Sequence, residues 1–282
     1  MPAIRDYQSF SSMNTFMRCG LQYMFRYVEG IKTPPAVAMI TGSAGHKGLE
    51  TNYSQKIESH TDLPLADVLD ATSTDFDSRV EGIEDWEDTT PSKAKDVLIK
   101  IMGIAHKTHC PNIQPVEVEG SYLVDVAGTK MKSYIDLIDD QGIVRDNKFV
   151  KRTKSQADTD NDLQLTLYSY ITKKPNVAFD CLVKKLKPEV KTVHSRRDGV
   201  QWRRLELMIP RIITGIEQGT FLPADPTGWA CSEKFCGYWN ICDQGGKNVG
   251  SVTVDMAQNT SPDLAWEATD KTATANNIED YL

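Results

Sequence analysis

The chain has 282 residues, 40% hydrophobic and 25% charged, with a net charge of −7, a length that buries a substantial core. No run approaches the roughly 18 to 20 apolar residues of a membrane span, and the opening MPAIRDYQSFSS lacks the apolar stretch of a secretory signal. A cytosolic protein without a membrane anchor is therefore expected. The charge is uneven: residues 1–144 hold 13 basic and 21 acidic side chains, residues 145–211 hold 16 and 8, and residues 250–282 hold 1 and 6.

In chain order, the spacing of Phe16, Tyr23 and Tyr27 behind Ser9 predicts a helix over 9–29. Pro34 and Pro35 mark a loop, and MITGSAGHKGLETNYSQKIE reads as a glycine-marked turn leading into a second helix. Residues 64–109 have helical patterning, with a break at EDTTPSK. Three strands follow in VEVEGSYLVDV, KMKSYIDLID and GIVRDNKFV. DTDNDLQLTLYSYITKK predicts a helix, NVAFDCLVKKL and VKTVHSRR a strand pair, and QWRRLELMIPRIITGIEQG a helix that Pro210 should kink or interrupt. The order predicts an α/β fold, a mixed sheet flanked by helices. The acidic end, 250–282, is expected to be a disordered tail beyond a domain of 1–249. A docking role for its apolar end IEDYL is weaker than that of a solvated terminus.

The hairpin YIDLIDDQGIVRDNKFV carries an oddity. Alternation along the strand puts Asp146 and Lys148 on one face, and Asp136 on the neighbouring strand can reach them. Paired carboxylates repel unless a cation lies between them, and hard oxygen ligands suit Mg2+ or Mn2+. A lysine beside such an ion can hold water or meet developing charge. The competing reading is an Asp–Lys pair on the exposed face of an edge strand.

These residues resemble the core of the PD-(D/E)XK nuclease superfamily: Asp136 as the motif's Asp, and Asp146, Asn147 and Lys148 as its (D/E)-x-K. QLTLY is similar to the Q-x-x-x-Y helix of the RecB-like branch, placing Gln164 and Tyr168 one turn apart, and GSAGHKGLE to its G-x-x-x-H helix start, giving His46. The resemblance covers roughly residues 9–242, with a restriction-endonuclease-like core at about 116–211 and a helical elaboration at about 50–110. It implies a DNA nuclease, with exonuclease action expected, using Mg2+ or Mn2+ held by His46, Asp136, Asp146 and the Asn147 carbonyl. Lys148 would orient water, Gln164 would place Lys148 or a phosphate, and Tyr168 would contact DNA or support Gln164. Arg145 departs from the pattern, since an apolar residue commonly precedes the motif's second Asp. So does the acidic segment 62–96.

WACSEKFCGYWNIC sets Cys231, Cys236 and Cys242 within fourteen residues, and Cys19 lies in the first predicted helix. Three cysteines after the core and one before it resemble the iron–sulfur-stapled RecB-like nucleases, including AddB-type domains and CRISPR-associated adaptation exonucleases. That implies a 4Fe-4S cluster on Cys19, Cys231, Cys236 and Cys242. Four thiolates also suit zinc, and the gap between Cys231 and Cys236 is longer than that most familiar from the group. HKTHC at 106–110 lacks a fourth ligand and reads as a helix end.

The basic middle nominates Lys151, Arg152, Lys154, Lys184, Lys185, Lys187, Arg196 and Arg197 for backbone contacts to DNA, with single-stranded ends expected. No phosphate-binding G-x-x-x-x-G-K-[ST] loop is present, so any helicase or recombination motor would be a partner, in a bacterial or phage-infected cell. The rival function is a metal-stapled DNA-binding or assembly module without catalysis.

Overall fold

A computed structural model of the chain describes residues 6–242 except 82, 84, 85, 87 and 186. The tail at 250–282 lies outside the described residues. The helices are α1 (Phe10–Arg18), α2 (Gly20–Tyr23), α3 (Val37–Ser59), α4 (Leu65–Val80), α5 (Pro91–Thr108), α6 (Gln156–Asp160), α7 (Leu163–Thr172) and α8 (Gly199–Glu217). The strands are β1 (Pro115–Val126), β2 (Thr129–Asp139), β3 (Val144–Val150), β4 (Asn176–Val183) and β5 (Glu189–Arg196). They form one five-stranded sheet in that order. All neighbours are antiparallel except β3 and β4, which are parallel because α6 and α7 carry the chain back between them. No helix among the described residues is long and apolar enough to cross a membrane.

Neighbouring residues on one strand send their side chains to opposite layers. Leu137 and Leu182 pack with α3, α4 and α5 around Tyr53, Phe76 and Leu98, whereas Ile138 and Val183 pack beneath Leu165 and Tyr168 of α7. A third cluster joins Met131 of β2 to α1 and to the stripe Leu205, Ile209, Ile212 and Ile216 of α8. The expected mixed sheet between helical layers is the observed fold, a restriction-endonuclease-like core.

Four local expectations are corrected. The first predicted helix breaks at Cys19, whose extended backbone separates α1 from α2. Gly20 lets the break pass close to the C-terminal segment: a Cβ there would stand 2.6 Å from the Leu222 nitrogen. No turn precedes His46, because α3 starts at Val37 and runs through Gly42, Gly45 and Gly48. The helix predicted around 158–174 divides where Asp162 caps α7 through the Leu165 amide. Pro210 sits inside α8 without ending it, since the apolar stripe holds both halves to the core.

Candidate active site

The β2–β3 ladder has two rungs, Leu137 with Arg145 and Ile138 with Val144. The next rung would set Asp136 against Asp146, but here the strands part. The Asn147 amide donates to Oδ2 of Asp136 at 2.7 Å, so a carboxylate stands where a carbonyl would continue the ladder. His46, projecting from α3, brings Nδ1 to 3.4 Å from the same oxygen. Its helix comes this close because Gly45 faces the Phe149 ring of β3, where a Cβ would stand 2.1 Å from Cζ. By contrast, nothing stands within 4 Å of a Cβ at Gly42, the glycine of the G-x-x-x-H pattern.

Glu119 completes this group, and sequence reasoning missed it. Ligand atoms of His46, Glu119 and Asp136 all lie within 4.8 Å of one another, a set able to hold a metal ion. Glu119 lies in β1 between the rungs Val118–Leu137 and Gly120–Ile135, with a left-handed φ of 50°. The signal available in the sequence was Gly120, since a glycine inside a strand often marks a local irregularity. An open cavity of about 430 Å3, lined by His46, Glu119 and Asp136 with Met39, Lys47 and Arg79, gives access from solvent.

Asp146 lies beside this trio and not within it. Its Oδ2 lies 2.6 Å from the Lys148 ammonium, yet without the alignment of a hydrogen bond. Lys148 in turn donates to Oε1 of Gln164 at 3.1 Å, and Gln164 Nε2 donates to the Tyr168 hydroxyl at 2.7 Å. Burial raises the pKa of Glu119, Asp136 and Asp146, in the last case to about 6. Burial pulls Lys148 the other way, but the charge of Asp146 outweighs it and the ammonium is strengthened. Tyr168 is raised by burial and by the nearby carboxylates, so its hydroxyl stays protonated. Three carboxylates with raised pKa, Asp146 buried and Glu119 and Asp136 half-buried, form a site whose charge is relieved by a cation. The residues therefore fit a divalent metal.

The whole described region matches one family, the PD-(D/E)XK nuclease superfamily, over residues 7–243. The chain belongs to this superfamily. Membership makes it a metal-dependent nuclease with DNA as its substrate class. A crystal structure from Eubacterium rectale described as "Putative exonuclease" is 12% identical, with a TM-score of 0.57 over 82% of this chain and 87% of that one, and shares the fold. The protein SSO0001 is 16% identical over 85% of this chain and 99% of its own, with a TM-score of 0.36. Among curated proteins none matches the sequence.

Arg145, the departure from the superfamily pattern, points away from the site. It is buried between Asp139, with Nε to Oδ2 at 2.7 Å, and Asp180, with Nη1 to Oδ2 at 3.1 Å. Burial disfavours the charge on Asp180, but the His109 and Arg145 contacts win and hold its carboxyl down at about 2. His106 of the HKTHC run meets the Leu63 carbonyl and Cys110 takes a hydrogen bond from Tyr53, so both serve packing.

The nominated basic residues do not form one surface. Arg197 is corrected: it is 1% exposed and donates to Thr166, Ser195 and the carbonyls of Thr159 and Asp162, fastening α6 and α7 to β5. Arg196 pairs with Asn176 at the opposite end of β4 from Lys184. Lys185 is engaged by Glu189, and half-buried Lys184 donates to Thr41. Exposed Lys151, Arg152 and Lys187 lie at the same sheet end as Lys184. Lys154 approaches the site, sharing the Phe179 ring with Lys148.

Cys19, Cys231, Cys236 and Cys242 line one small cavity, together with Gln22, whose Nε2 donates to Cys236 Sγ at 3.2 Å. Among the described residues no three of these sulfurs lie within 4.8 Å of one another. A tetrahedral zinc site with Zn–S near 2.3 Å would draw them to about 3.8 Å apart. A four-iron cluster holds its cysteines farther apart, since each sulfur binds a different iron.

Proposed function

We propose that the chain is a Mg2+- or Mn2+-dependent deoxyribonuclease of the RecB-like branch, acting as an exonuclease on DNA ends, with its termini joined by a 4Fe-4S cluster. The observation that carries the reading is the parted β2–β3 ladder, which sets the Asp146–Lys148 pair beside the opening lined by His46, Glu119 and Asp136. A bound divalent ion would polarise a phosphoryl oxygen and acidify its water. His46, Glu119 and Asp136 are its nearest holders, with Asp146 and the Asn147 carbonyl as further donors. Lys148 presents its ammonium where negative charge develops, and Gln164 fixes it there, its own amide oriented by Tyr168. Support for exonuclease action comes from the description of the Eubacterium rectale protein. Support for the cluster comes from Cys19 lining one cavity with Cys231, Cys236 and Cys242, which follow it by more than 200 residues. Such a protein would work in the cytoplasm, in recombination, repair, phage DNA metabolism or CRISPR adaptation, with any motor supplied by a partner.

End-labelled single- and double-stranded DNA, incubated with anaerobically purified protein and Mn2+, tests the proposal. Expected is metal-dependent loss of linear DNA, sparing of closed circles, and no cleavage by Asp146→Ala despite retained DNA binding. Inert wild-type protein overturns the nuclease reading, and equal cutting of circles overturns the exonuclease one.

A further inference from the structure

Beyond the point where β2 leaves β3, β2 continues with β1 as a two-stranded ribbon. Side chains at Asp136, Tyr134 and Lys132 share one face of β2, at intervals of about 7 Å. The opposite face, with Met131 and Ile135, is buried against helices. The face bearing Asp136 is open: Tyr134 is 53% exposed and Leu123, which opposes Lys132, is 62% exposed. The open side of β2 is bordered by Gln8, which exchanges backbone hydrogen bonds with Lys130 and Lys132. This brings the Tyr7 ring to 5.1 Å from the Lys132 ammonium, and the Tyr134 ring lies 5.3 Å from it on the other side. Among the described residues no carboxylate pairs with Lys132.

We infer that this ribbon face is a track for single-stranded DNA, with a base stacked on Tyr134 and a phosphate on Lys132, leading one strand to Asp136. The inference rests on the nuclease reading for its direction and deepens it by naming the substrate form. An exposed ring beside an ammonium with no carboxylate partner among the described residues offers the two contacts that sequence-independent single-strand binders combine, a π-face for a base and a cation for the backbone. An unpaired base has a face to offer, whereas a base inside a duplex is already covered by its neighbours. The strip is continuous with the catalytic opening, since Tyr134 stands two residues from Asp136 on the same strand. The track is thus built into the strand that carries the first motif carboxylate.

Fluorescence anisotropy of labelled oligo(dT) and of a blunt hairpin duplex, in EDTA with the full chain, tests this independently of cleavage. Tyr134→Ala should weaken oligo(dT) binding about ten-fold with an unchanged salt slope, Tyr134→Phe should bind like the wild type, and duplex binding should change less. Lys132→Ala should flatten the salt dependence by about 0.7 in log–log slope, one single-strand phosphate. Wild-type oligo(dT) affinity in Tyr134→Ala, or equal loss in Tyr134→Ala and Tyr134→Phe, overturns the track. If the wild type cuts no DNA yet shows the Tyr134 dependence, the nuclease reading falls and the track stands. If it cuts DNA and the dependence is absent, the track alone falls.

Discussion

Asp146 pays for its position: burial lifts its carboxyl to about 6, above the 3.8 of an exposed aspartate, and Asp136 shifts the same way. A raised acid contributes fully to folding below about pH 4 and loses that contribution as pH rises through about 6. A divalent ion reverses the loss by favouring the ionised form. Stabilisation by Mn2+, read as a shift in melting temperature, should therefore be larger at pH 7.5 than at pH 5, and equal shifts at both would contradict the burial of these groups. Lys148→Met should retain Mn2+ binding by calorimetry while slowing cleavage by two or more powers of ten, because its charge acts where charge develops. A loss of metal affinity equal to the loss of rate would make Lys148 a prop for Asp146 instead. Much of this arrangement was legible: the shared face of Asp146 and Lys148 follows from strand alternation, and Gln164 and Tyr168 came from the resemblance to the Q-x-x-x-Y helix. Glu119 was not, because its backbone twist overrides the alternation by which a strand sequence is read.

At the scale of elements, α3 sets the reach of His46, and Gly45 sets how near α3 lies to β3. Gly45→Ala should push α3 off the Phe149 ring, costing about 1–3 kcal/mol and cleavage together, with metal affinity reduced as His46 withdraws. A second change, Phe149→Leu, should restore much of both; failure of the pair to couple would show that the contact does not position the helix. The hairpin could be anticipated because alternation and the turn residues at 139–142 are local signals. Helix limits could not. The glycines of GSAGHKG look like a turn in sequence, but Gly45 and Gly48 serve close packing of α3, a role decided by Phe149, Thr72 and Met102 far along the chain. Pro210 is tolerated for the same reason, its helix being held by its apolar stripe.

At the scale of the whole molecule, the first and last described segments meet. Cys19 lines the same cavity as Cys231, Cys236 and Cys242, and the Gly20 amide donates to the Leu222 carbonyl at 2.7 Å. Protein purified without oxygen should be brown, with broad absorbance near ~400 nm from sulfur-to-iron charge transfer, and Cys19→Ala should bleach it and lower the melting temperature together. Colourless protein with stoichiometric zinc would refute the iron assignment. The spacing of the C-terminal trio made the cysteines stand out, whereas their meeting with Cys19 depends on a helix break that no residue pattern announces. The same closure has a consequence in time. Phe16 and Tyr23 pack on Phe221, which leaves the ribosome roughly 200 residues later, an interval of about 10–40 s at 5–20 residues per second. For that long the first helix of the nascent chain lacks the α8 stripe and Phe221 that complete its cover. Synthesis thus leaves one side of the first helix uncovered until residues 199–221 arrive to pack on it.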